Sequence, residues 1–418
     1  RCNFAKVTVN GKYLGIYSNV ESIKPQFLKN RFGDDSGALF EGTITDLFPD
    51  SVERFEKKNK QGSYEQIRKL AEILDRDKFT VAEVGEVLDI PAFVKFWATE
   101  SLIGFWDGYT NNQNNYFLYL HPKTNKLIFI PWGTDSSFTN TIPMPSFKIE
   151  VRTVHAQSIL ANRLYRHPEI QELYLKTMNE LLEKHWDEEA FVAEVDKTAE
   201  LLKPHLQEGS RGFAKRVAEI NSFVRGRRAT VKNELKGGAA KISHGTRRTF
   251  SFETTGTATG TFSTTWTEKT PRNPTAIGTA TLDVTNNDEP IEFAKLGVTS
   301  EPGQDKNSRE ADGQMPPTIV FHGRRKSDNK QWMMTVGTTS DAFHASKSET
   351  PVFGIVIEGN PLFFFAKMML NQGKMDQFVM AGGTVTFDQA KREVGAPVSG
   401  KVKLEIGRFR GGDHLPVR

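Results

Sequence analysis

Only one cysteine, Cys2, stands among the 418 residues. No intrachain disulfide can form, which excludes a disulfide-stapled secreted module but is neutral between the cytosol and a bacterial exterior. Cys2 lies in a strand-like segment and reads as a small core residue, not a nucleophile. No apolar run reaches the ~18 residues of a membrane span. The nine His residues form no His-x3-His or His-Glu-x2-His spacing, so a zinc hydrolase has no support. Serine hydrolase chemistry lacks its Gly-x-Ser-x-Gly elbow, and no full Gly-rich phosphate loop is present. The net charge, +4, is small for this length and does not call for nucleic acid.

What remains is a soluble globular composition, 37% hydrophobic and 25% charged, of a length that suits two or three domains. The chain divides near residues 236 to 245. Before that point helical and strand patterns alternate. Asn10-Gly11 reads as a type I′ turn between strands Lys6 to Val9 and Tyr13 to Tyr17. Ser63 to Leu74 sets Ile67, Leu70, Ala71 and Leu74 at helical spacing, Thr80 to Leu88 is a shorter helix, and His155 to about Leu235 is mostly helical. Within it, the basic Arg225, Arg227, Arg228 and Lys232 read as a solvated face. After Gly237-Gly238, residues 245 to 287 hold 15 Thr among 43 residues, and Thr favours strands. Strands are expected at Thr249 to Glu253, Gly260 to Ser263, Thr318 to His322, Trp332 to Val336, Val352 to Ile357, Gly383 to Phe387 and Lys401 to Ile406. Ser300 to Gly313 reads as a polar, mobile loop. The expectation is an α+β domain over residues 1–236, a linker over 237–245 and an all-β, sandwich-like module over 246–418. Arg1 falls inside a strand-like pattern, so a longer protein, with any signal peptide upstream, is expected.

The most informative stretch is Trp106-Asp107-Gly108-Tyr109-Thr110-Asn111-Asn112-Gln113-Asn114-Asn115-Tyr116. A helix over Pro91 to Phe105, with Asp89 as cap, leads into it. Tyr116 to Leu120 and Leu127 to Ile130 then read as strands around the turn His121 to Lys126. In an antiparallel hairpin, the segment before the first strand lies beside the segment after the second. Asp107, Asn112 and Asp135 should therefore converge. A carboxylate, an Asn five residues on, a hairpin and a second Asp match the order of phosphoryl-transfer sites in protein kinases. Each residue alone is also ordinary turn chemistry, because Asp and Asn side chains bond local backbone.

With Val9 to Tyr17, Val20 to Ile23, Phe27-Leu28, Arg31 to Gly33, Gly37 to Gly42, Phe55 to Lys58 and Ile130-Pro131-Trp132-Gly133-Thr134-Asp135, these residues resemble the spore coat protein H (CotH) kinase-like family, from the first residue to roughly Lys236. The resemblance implies an atypical protein-kinase-like domain that uses ATP with Mg²⁺ or Mn²⁺ on Ser/Thr of a protein substrate, at a secreted or bacterial cell-surface location. It implies Asp107 in the catalytic role and Asp135 as a metal ligand, joined by Asn112 or by Asn115, where relatives often carry the Asn. Many relatives have Trp-Asp-x-Asp where Gly133 stands, and a Lys where Glu41 stands. Lys58 is the candidate substitute for that Lys, with Glu21 as its possible partner. These departures keep a second class open: a catalytically weak kinase-like domain that serves as a surface, coat or matrix binding protein.

Overall fold

A computed structural model describes residues 2–139, 153–206, 212–249, 251–267, 278–287, 289–301, 317–337, 349–359, 378–390 and 393–417. The chain forms two units, Arg1–Thr249 with Gly412–Arg418, and Phe250–Gly411.

In the first unit, β1 (Cys2–Val9) and β2 (Lys12–Val20) form an antiparallel hairpin. Asn10 and Gly11 turn it with φ of 50° and 78°, the left-handed pair that a type I′ turn demands. The hairpin is a two-stranded sheet of its own, and Cys2 is exposed on it. That corrects the core reading of Cys2: its strand is exposed or half-exposed along its length, with no second layer over it among the described residues.

The chain continues through α1 (Pro25–Phe32), β3 (Ala38–Gly42), β4 (Glu56–Lys57), α2 (Glu65–Asp75), α3 (Val81–Val87), α4 (Ile90–Leu102), the one-turn α5 (Tyr109–Asn112), β5 (Tyr116–His121) and β6 (Lys126–Pro131). Then come α6 (Ile159–Leu164), α7 (Pro168–Lys184), α8 (Glu188–Leu202) and α9 (Phe213–Glu234). The strands form one antiparallel sheet in the order β4-β3-β5-β6. Alternation sends Phe40, Tyr116, Leu118 and Phe129 into the main core, with Leu70 and Leu74 of α2, Phe93 and Trp97 of α4 and Tyr174 of α7. Leu39, Phe117, Tyr119 and Ile130 face the other way, toward Leu28 and Phe32 of α1 and Trp132.

Two caps fix α4, the helix that delivers the site. Asp89 Oδ1 accepts from the Ala92 amide (3.0 Å). At the other end the Arg227 guanidinium of α9 donates to the carbonyls of Leu102 (2.9 Å) and Ser101 (2.5 Å). Arg227 is thus 2% exposed, not part of a solvated face. Its neighbour Arg228 is also engaged, pairing with Glu188 at 2.6 Å.

The second unit holds β7 (Ser251–Thr265), β8 (Thr279–Asn286), β9 (Glu289–Pro290), β10 (Phe293–Glu301), β11 (Thr318–Arg325), β12 (Gln331–Gly337), β13 (Glu349–Glu358), β14 (Val379–Ala390) and β15 (Pro397–Arg410). Where the sequence pattern predicts two stacked sheets, these strands form one antiparallel sheet ordered β10-β11-β12-β13-β14-β15-β7-β8-β9. The sheet curls to bury its own apolar face. Phe262 of β7 meets both Phe321 of β11 (6.1 Å) and Phe387 of β14 (6.2 Å), and Trp266 bridges to Ser300. Much of the stretch expected as a polar loop, residues 302–313, lies outside the described residues; Ser300 and Glu301 belong to β10.

Candidate active site

Three devices stop α4 and aim the next loop. Gly104 reverses the chain at φ 62°, where an added Cβ would lie 2.9 Å from the Phe223 ring. Glu100, buried in α4, accepts from the Tyr109 amide (3.1 Å), the Thr110 amide (2.9 Å) and the Thr110 hydroxyl (2.7 Å). It therefore satisfies the free N–H groups at the start of α5. Burial outweighs these bonds and pushes the Glu100 carboxyl up to about 7. Gly108 leaves the space for it, since a Cβ there would sit 2.4 Å from Glu100 Oε1.

Asp107 stands just before this anchored turn, half-buried. Its Oδ1 accepts from Asn112 Nδ2 (2.7 Å) and Asn114 Nδ2 (3.3 Å), and its Oδ2 from Asn115 Nδ2 (2.8 Å). Asn115 also donates to the Asp107 carbonyl (3.0 Å). An ionised carboxylate offers about four lone-pair sites. Three side-chain amides hold this one in place, and no further side-chain donor to it occurs among the described residues. Gln113 and Asn115 take left-handed backbone, φ 55° and 54°, so the polar loop is wound tightly around the carboxylate.

The hairpin brings its two ends together. Tyr116 lies opposite Pro131, and the Trp132 amide donates to the Asn115 carbonyl (2.9 Å). Gly133, at φ 53°, then packs on the Asn115 side chain: a Cβ there would lie 2.7 Å from Asn115 Oδ1. Asp135 comes next on an exposed 3-10 turn, Thr134–Ser136. The geometry joins Asp107, Asn112 and Asn115 directly. Asp135 makes no hydrogen bond or ion pair to them among the described residues.

Lys58 binds Glu41 (2.7 Å) and Glu56 (3.0 Å). These two carboxylates are ion-pair partners of the ammonium among the described residues, and Glu21 comes just after β2. Hydrogen bonding to Glu41, then to Glu56, holds the Lys58 ammonium above its ordinary pKa. Glu41 pairs with Phe117 across the sheet, one position in from the Gly42–Tyr116 pair that borders the Asp107 loop.

Three further residues carry no signal in the local sequence: Asp46, Arg247 and Glu100. Asp46, fully buried, accepts from the Leu47 amide (2.8 Å), the Tyr109 hydroxyl (2.8 Å), Gln113 Nε2 (3.0 Å) and the Ile159 amide (2.8 Å). Desolvation raises its pKa even so. Arg247 Nη2 donates to Gln113 Oε1 (2.9 Å) and to Asn112 Oδ1 (2.9 Å). Burial lowers the Arg247 pKa to about 10. Asp46 and Arg247 lie far from Asp107 in sequence, so only a spacing rule spanning the whole unit could have found them.

The donor set suits a hard divalent cation in kind. Asp135 is an exposed carboxylate, and Asn115 Oδ1 has no hydrogen-bond donor among the described residues. Oxygen ligands of this type fit Mg²⁺ or Mn²⁺. Asn112 Oδ1 is held by Arg247 and fits that role less well. No group of three or more His, Cys, Asp or Glu capable of holding a metal occurs among the described residues.

Residues 1–231, more than half of the chain, match the family described as CotH kinase protein. The chain belongs to the CotH kinase protein family. It is also similar to spore coat protein homolog 1 of Rhizopus delemar, 21% identical over 224 residues. That alignment covers 49% of this chain and 37% of the relative, so the chain spans little more than a third of the fungal protein's length. In this CotH-family chain, the match contains Asp107, its Asn neighbours, Asp135 and the Glu41–Lys58 pair, whereas Arg247 lies beyond it. No described helix is long and apolar enough to cross a membrane.

Proposed function

We propose that the first unit transfers the γ-phosphoryl group of ATP to a Ser/Thr hydroxyl of a protein, at a cell surface or coat. The observation that carries this reading is the half-buried Asp107, held by three side-chain amides that use three of a carboxylate's roughly four lone-pair sites among the described residues. In that position Asp107 accepts a hydrogen bond from the acceptor hydroxyl, orients its oxygen for in-line attack and takes its proton. Asp135 and Asn115 Oδ1 would hold the divalent cation, which when bound neutralises phosphate charge. Lys58, braced by Glu41, supplies a phosphate-holding ammonium. By the family resemblance, many relatives carry a Lys where Glu41 stands, and Lys58 is proposed in its place.

One observation favours a second reading, a catalytically weak binding protein of a coat or matrix. Gly133 stands where many relatives have a carboxylate, and its close approach to Asn115 leaves no room for one without movement.

Thermal melting with ATP and Mg²⁺ or Mn²⁺ separates the two. A saturating metal-nucleotide at ~100 times its dissociation constant stabilises the folded state by about 2.7 kcal/mol. The kinase reading expects a rise in Tm that needs nucleotide and metal together and is lost in Asp135→Ala. No shift at millimolar ATP with either metal would support the binding-protein reading.

A further inference from the structure

The family match ends at residue 231, before Arg247, yet this residue reaches Asn112, which holds Asp107. Asn112 donates through Nδ2 to Asp107 (2.7 Å) and accepts through Oδ1 from Arg247 (2.9 Å). A primary amide can rotate by half a turn and exchange its oxygen and nitrogen. In the exchanged state Asn112 would present an acceptor to a carboxylate, and the bond would be lost. A guanidinium has donors only, so the amide edge facing Arg247 must be oxygen.

Gln113 is fixed in the same way, one step further back. Its Oε1 accepts from Arg247 Nε (3.2 Å) and Nη2 (2.9 Å), while its Nε2 donates to Asp46 Oδ2 (3.0 Å) and to the Arg247 carbonyl (2.6 Å). Asp46 accepts and Arg247 donates, so each amide between Asp46 and Asp107 has one orientation that satisfies both sides. Arg247 is 5% exposed, so water does not readily replace it.

The backbone that carries Arg247 is held by a clasp within the first unit. Its amide donates to the Gln157 carbonyl (2.9 Å), and Arg247 bridges antiparallel to His414. Leu415 donates to the Thr246 carbonyl (2.7 Å), Arg248 to Asp413 (3.0 Å) and Gly412 to Arg248 (2.9 Å). The segment before the β unit and the tail after it thus pair with each other.

We infer that Arg247 is a positioning residue for Asp107: it locks the Asn112 amide in its donating orientation, and the tail from Gly412 onward is needed to hold it there. This rests on the reading of Asp107 as the carboxylate that takes the hydroxyl proton. The test uses the full chain and three variants: Arg247→Lys, which keeps the charge but is one bond shorter and loses the Nε donor and the rigid planar fork, deletion of residues 413–418, and Asp107→Ala. With ATP, Mn²⁺ and a generic basic protein as acceptor, Arg247→Lys and the deletion should lower kcat about tenfold and leave the KM for ATP within about twofold. Unchanged kcat in both, with activity lost in Asp107→Ala, overturns the inference and leaves the kinase reading standing. Should the wild type transfer no phosphate, or Asp107→Ala transfer as well as wild type, the kinase reading fails. A crystal structure of Arg247→Lys then decides the positioning claim. Asn112 turned away from Asp107 upholds it, and a retained Asn112–Asp107 bond rejects it.

Discussion

At the scale of single residues, Gly133 sets the fit of Asn115. Any L-residue at φ 53° carries a left-handed backbone cost of about 1–2 kcal/mol. Gly33, at φ 76° with open space around it, provides a control that carries this cost alone. In urea melts, Gly133→Ala should destabilise the first unit more than Gly33→Ala, because its Cβ must displace an amide bonded to Asp107. Equal losses would mean that Asn115 yields freely. The sequence made the Asp107–Asn spacing and the hairpin legible. It left Asn112 and Asn115 as alternatives; Asn112 Oδ1 is occupied by Arg247 and Asn115 Oδ1 has no donor among the described residues, which supports Asn115 in the proposed metal role. Glu41 read as a departure from the family pattern, since nothing in a linear sequence places its carboxylate 2.7 Å from the Lys58 ammonium.

At the scale of elements, the one-turn helix α5 depends on Glu100 of α4. Its carboxyl titrates near 4.5 when unfolded and is pushed up to about 7 by burial in the fold. The folded state therefore binds the proton more tightly, and this contribution is full below pH 4.5 and lost as the pH rises through about 7. The shift corresponds to roughly 3 kcal/mol. The stability of the wild type relative to Glu100→Gln should fall between about pH 4.5 and pH 7, then level off. A difference independent of pH would contradict the burial argument. Asp46, raised by the same cause, adds a drift of the same sign that remains in the variant and cancels in the difference. Helices were legible where apolar spacing was regular: Ile67, Leu70, Ala71 and Leu74 are all buried. Individual strands were legible from alternation. The curl was not, because it depends on pairing β7 with β15, whose registered residues lie far apart in sequence.

At the scale of the whole molecule, the chain leaves the first unit at Thr249 and rejoins it at Gly412. Arg248 and Gly412 share a backbone hydrogen bond of 2.9 Å, so the two ends of the β unit lie side by side within the first unit. Replacing residues 250–411 by a turn of about four residues should leave the first unit folded, because a hairpin-length connection spans such a pair. Circular dichroism and the Tm of the shortened chain check this, and an unfolded product would contradict it. Composition placed the change of architecture near residue 240 but could not assign residues 246–249 and the tail to the first unit, since their membership rests on backbone bonds to distant residues such as Gln157. The central claim is that Asp107 serves phosphoryl transfer. Its most direct test tracks transfer of labelled γ-phosphate from ATP to a generic basic protein, with Mg²⁺ or Mn²⁺, for wild type and Asp107→Ala at matched thermal stability. The account predicts transfer by wild type and a loss of at least about a hundredfold in the variant. Equal labelling by both proteins would contradict it.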